Sequence, residues 1–68
     1  MPKRLSSAEV ARILTDHSFV FVSQKGSHQK FRDAFGHTVI VPASRREIPV
    51  GTIISIIKQS GLNRELFR

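Results

Sequence analysis

Two glycine-bearing turns, Lys25-Gly26-Ser27 and Ala34-Phe35-Gly36, divide the middle of the chain into three short β-type segments. Parallel pairing needs a crossover of about a dozen residues, so connections this brief leave only an antiparallel meander. The first segment, Phe19 to Gln24, is β-branched and aromatic. The second, His28 to Asp33, alternates, with Phe31 on one face and His28, Lys30 and Arg32 on the other. The third, His37 to Val41, ends at Pro42, which has no N–H to give a ladder.

Helical patterns flank the meander. Ser6 followed by Glu9 reads as a capping box, and Leu5 is placed to staple onto Val10. Val10, Ile13, Leu14 and His17 then recur at helical spacing, which predicts a first helix from about Ser7 to His17. Val50 to Ser60 contains Ile53, Ile54, Ile56 and Ile57, four β-branched residues that would also suit a strand. Gly61 decides for a helix: it falls at C′, with Leu62 at C″ able to pack on Ile57 in a Schellman ending. Asn63 then caps a last short turn bearing Leu66 and Phe67, and the isoleucine run is read as core. The expected fold is α+β, in the order α-β-β-β-α, with a three-stranded antiparallel sheet. The helices take one face and leave the other open. This layout resembles the double-stranded-RNA-binding fold.

The 68 residues, with no repeat and no linker, form one domain near the lower size limit for folding without staples. The chain has no cysteine, which excludes disulfides and thiolate metal sites. Three separated histidines and five scattered carboxylates show no metal-ligand spacing, so neither a metal nor another cofactor is expected. The opening Met1-Pro2-Lys3-Arg4-Leu5 turns polar at once, and no apolar run approaches the ~20 residues of a membrane span. A cytoplasmic protein without a membrane partner is expected. Eleven Lys and Arg against five Asp and Glu leave a charge of +6. Self-repulsion of that size persists most readily where a polyanion neutralises it: nucleic acid first, an acidic protein second.

Chemistry concentrates at Gly26-Ser27-His28. A hairpin glycine exposes backbone N–H groups, the serine adds a hydroxyl, and an imidazole opens the next strand between Lys25, Lys30 and Arg32. N–H groups and cations suit a phosphate, and imidazole is the side chain that exchanges protons most readily near neutral pH. RNA carries its own nucleophile, the 2′-hydroxyl. Cleavage therefore needs only a proton acceptor or donor and charge stabilisation at phosphorus. Arg45 and Arg46 lie in a basic loop that either grips phosphates or is simply solvated. Phe35 sits in a turn, either exposed as a contact or packed back over the sheet edge. His17 is read as a helix C-terminal capping or packing residue, and His37 as a turn-edge residue, the alternative being that it approaches the site across the sheet.

The run Gln24-Lys25-Gly26-Ser27-His28 with Phe31 is similar to the HicA family of type II toxin–antitoxin modules. Val41-Pro42, Gly51-Thr52 and Lys58-Gln59-Ser60-Gly61-Leu62 continue the similarity in order, and Phe67 closes it. The resemblance covers almost the whole chain. It implies an endoribonuclease that cuts mRNA without a metal, with His28 catalytic and Gly26 and Ser27 shaping its turn, held in check by a HicB-like antitoxin. One departure stands out. Many family members carry a second histidine soon after the Val-Pro pair, where this chain reads Ala43-Ser44-Arg45-Arg46. Two other readings remain beside the nuclease: a non-catalytic RNA-binding module, and an interaction protein whose basic face docks an acidic partner.

Overall fold

The computed structural model describes residues 4–67; the polar opening Met1-Pro2-Lys3 lies outside them. Helix α1 spans Ser7–Asp16, strands β1, β2 and β3 span Val20–Lys25, His28–Arg32 and Thr38–Pro42, and helix α2 spans Val50–Ser60. A 3₁₀ turn, Arg64–Phe67, follows. The strands pair in the order β1-β2-β3, antiparallel throughout, as the short turns require.

The capping box is formed: Glu9 N–H donates to Ser6 Oγ at 3.1 Å, and Ser6 N–H donates to the Glu9 carboxylate at 3.0 Å. Leu5 and Val10 are both buried in the core cluster, as the staple demands. His17 closes α1 by placing Nδ1 2.8 Å from the Ile13 carbonyl, so it is an exposed capping residue and not a packed one. Phe19 is buried but precedes the first strand, which starts one residue later than predicted.

Gly61 ends α2 in the left-handed conformation (φ 69°). The ending is simpler than the Schellman motif predicted. Gly61 N–H bonds to the Ile57 carbonyl at 3.2 Å, while Leu62 N–H turns instead to Ser60 Oγ at 3.1 Å. Asn63 Oδ1 accepts from Glu65 N–H and starts the final turn.

One face of the sheet is covered. Phe31, Val39 and Val41 pack with Val10 and Leu14 of α1, Ile53 and Ile56 of α2, and the fully buried Phe67. Burying one such side chain stabilises the fold by roughly 1.5–3 kcal/mol, a large share for so small a domain. The isoleucine run is only partly core: Ile54 is 42% exposed, because α2 turns it away from the sheet. α2 also reaches the outer edge of β3, where Gln59 Oε1 accepts the Ile40 N–H at 3.1 Å. β1 forms the other edge and has no strand beside it. Among the described residues no helix packs on the opposite face of the sheet.

Candidate active site and nucleic-acid interface

Lys25 and His28 are cross-strand partners, so the hairpin between them consists of Gly26 and Ser27 alone. Gly26 has φ 59° and Ser27 does not share the positive φ, which is the pattern of a type II′ turn with glycine at its first central position. Two hydrogen bonds brace this turn. Gln24 Nε2 donates to the Gly26 carbonyl at 3.0 Å, and Ala43 N–H donates to the Ser27 carbonyl at 2.7 Å. Gln24 is itself tied across the ladder to Gln29, whose Nε2 lies 3.3 Å from its Oε1. Sequence reasoning passed over both glutamines; their only signal was a polar pair flanking the turn.

His28 stands exposed on the uncovered face and lines a hollow of about 430 Å³ with Ser23, Lys25, Lys30 and Ile40. A β-bulge makes this grouping. The ladder slips between Phe21 and Ser23, so Phe21 pairs with Phe31 on the helix side while Ser23 opposes Lys30. The rings of Phe21 and Phe31 meet edge to face at 5.8 Å. In an unbroken strand Phe21, Ser23 and Lys25 would share one face. The extra residue reverses that parity and brings Lys25 to His28. Among the described residues the imidazole of His28 has no hydrogen-bond partner, so both ring nitrogens are free for a substrate.

Arg32 continues the same face along β2, opposite Val20 and Thr38. Lys30 and Arg32 are therefore successive positions of one stripe, about 6–7 Å apart along the strand. Arg45 and Arg46 do not join it. They line a separate hollow with Ser6, Ser7 and Gln29 on the side of α1. Arg45 is held by its backbone: its N–H donates to Ser7 Oγ at 2.9 Å, and its carbonyl accepts from Ser7 N–H at 2.9 Å. The Ser7 hydroxyl donates in turn to the Pro42 carbonyl. A buried serine in the first turn of a helix thus fixes the basic loop, a role its sequence position did not announce.

The other two histidines lie elsewhere. His37 precedes Thr38, which pairs with Arg32 at the end of β2 remote from His28. Its Nδ1 meets Asp33 Oδ2 at 2.6 Å. Burial raises the Asp33 carboxyl pKa, but hydrogen bonds from the His37 imidazole and from the His37 and Phe35 N–H groups outweigh it and hold it below the ordinary value. A histidine paired with a carboxylate is a familiar catalytic arrangement, yet this pair lies at the far end of the sheet from His28, with the ring partly exposed. A Cβ on Gly61 would come within 3.1 Å of His37 Nε2, so the imidazole sits on the end of α2. Phe35, at the tip of this turn, is 88% exposed.

The chain matches, over residues 7–62, the family described as HicA toxin of bacterial toxin-antitoxin. The matched span begins at the first residue of α1 and takes in both helices and all three strands. This chain belongs to the HicA toxin family. No curated protein matches it. As a HicA toxin it is the toxin half of a toxin–antitoxin pair, and the family implies an antitoxin partner. The residues that carried the resemblance, Gly26-Ser27-His28, lie within the matched span. No helix among the described residues is long and apolar enough to cross a membrane.

Proposed function

We propose that this HicA toxin is a cytoplasmic endoribonuclease that cleaves mRNA without a metal, using His28, and that a HicB-like antitoxin silences it. One observation carries the reading: an imidazole with both nitrogens free, on an open face, between two lysines that share its hollow. A phosphodiester laid over Lys25 and Lys30 would have its charge neutralised where the transition state accumulates it. The 2′-hydroxyl of the same nucleotide attacks phosphorus and the bond to the 5′-oxygen breaks. One proton leaves the nucleophile and one reaches the leaving group, and His28 exchanges one of them. Gly26 and Ser27 set the turn that aims the ring. The open face suits a single strand better than a closed cleft would.

The test is labelled RNA incubated with purified protein in EDTA. Cleavage that persists in EDTA and disappears in His28→Ala supports the proposal. His28 is exposed, so its loss should leave stability within about 0.5 kcal/mol of the parent, and the variant protein should no longer arrest growth at equal abundance. Growth arrest by that variant would refute the assignment. A second reading, a binding module that holds RNA without cutting it, is favoured because the described residues that line the hollow with His28 include neither a carboxylate nor a second imidazole. Tight RNA binding with no cleavage under any metal condition would establish it instead.

A further inference from the structure

α2 presents apolar side chains on two sides, and those on the second side are only partly spent on the core. Ile53 and Ile56 face the sheet, whereas Val50 is 50% exposed and Ile54 42% exposed. Ile54, Ile57 and Leu62 form the floor of a groove of about 450 Å³ between the end of α2 and the following turn, and Lys58, Asn63 and Arg64 form its rim. None of these residues lines the hollow that holds His28. A soluble helix normally shows one apolar stripe; here Val50 and Ile54 extend it into solvent, with Ile57 and Leu62 half buried beside Ile54.

We propose that this groove is a docking site for an amphipathic, acidic segment of a protein partner, separate from the face that carries His28. The rim supplies two cations over an aliphatic floor, which fits apolar anchors flanked by carboxylates. Single-stranded RNA fits worse, because the floor has no aromatic ring on which a base could stack. A second copy of this chain fits worse still, since each copy carries +6. The site stands whether or not His28 cleaves RNA.

The probe is a short synthetic peptide with leucines on one helical face and glutamates on the other, titrated into the isotope-labelled full chain and followed by NMR. Amide shifts centred on Ile54, Ile57, Lys58 and Leu62 are expected, with the His28 face undisturbed. Affinity should fall roughly tenfold or more in Lys58→Glu with Arg64→Glu, and again in Ile54→Ser. All three positions are solvent-accessible, so the variants should fold; an unchanged amide spectrum elsewhere verifies this. Equal binding by the same peptide with lysines for glutamates would overturn the proposal, as would shifts that map to Lys25, His28 and Lys30. Displacement of the peptide by single-stranded oligouridylate would assign the groove to RNA.

Discussion

Ala43 donates its backbone N–H to the Ser27 carbonyl at 2.7 Å, so the loop that leaves the sheet grips the turn that precedes His28. The same loop is anchored at Arg45 by Ser7. The position of the imidazole therefore depends on three segments far apart in sequence: the hairpin, the loop after β3 and the first turn of α1. The turn itself rests on the positive φ of Gly26.

Gly26→Val should lower stability by about 1–2 kcal/mol, the usual cost of holding a β-branched residue in left-handed backbone. A Cβ there would meet nothing within 4 Å, so the whole effect is conformational and not steric crowding. Gly26→Asn should recover part of that stability and of the RNA cleavage, because asparagine is among the residues found at positive φ in primed turns. Denaturation midpoints and cleavage rates measured together check both. A valine variant as stable as the parent would show that the turn does not require this backbone.

RNA affinity should fall steeply with salt, and the slope reads the path of the strand. Each phosphate contact on a single strand contributes about −0.7 to the log–log slope. Lys25, Lys30 and Arg32 alone predict about −2, whereas a strand that also reaches Arg45 and Arg46 predicts about −3.5. Arg45→Ala with Arg46→Ala should flatten the slope only in the second case. A slope near zero would remove RNA phosphates as the purpose of the charge.

Lys30→Glu with Arg32→Glu should weaken RNA and a HicB-like antitoxin together. Both ligands are proposed to occupy the uncovered face, where opposite charge speeds association. Competition between the antitoxin and a fluorescent RNA measures this directly. RNA binding unchanged at saturating antitoxin would mean that inhibition acts from another surface.

Asp33 makes stability depend on acidity. Its folded pKa lies below the ordinary 3.8, so its contribution is complete well above that value and is lost as pH falls through the folded pKa. The difference in urea midpoint between the parent and Asp33→Asn should be largest at neutral pH and shrink progressively below about pH 4. A difference that grows in acid would contradict the pairing with His37.

Phe67→Ala should cost about 3–5 kcal/mol, the range for emptying a fully buried aromatic site. A domain of this length has little more than that to lose, so the variant should be largely unfolded at growth temperature. Chemical denaturation and amide dispersion report it. A loss under about 1 kcal/mol would place the 3₁₀ turn outside the cooperative core.

Local signals made most of the fold legible. The capping box, the two glycine turns and Gly61 each act within a few residues, and each marks its element's end to within about a residue. The bulge at Phe21 to Ser23 was not legible, because a slipped ladder depends on what the neighbouring strand offers. It decides whether Lys25 faces His28. The separation of Arg45 and Arg46 from the stripe was equally hidden, since Ser7 and Pro42 set the course of that loop through contacts at long range in sequence. The exposure of Ile54 was legible in principle, since four isoleucines in five positions cannot all face inward on one helix.

The sheet also has unequal borders. α2 lies over β3 and Gln59 takes the Ile40 N–H, whereas β1 has no strand at its side. Runaway fibre growth by edge pairing requires each molecule to offer two open borders, one to receive and one to pass on. This molecule offers one. Two chains that met β1 to β1 would present to a third only β3 borders, each with its Ile40 N–H already taken by Gln59. The helix that completes the core thereby also occupies a hydrogen-bonding position that an added strand would need.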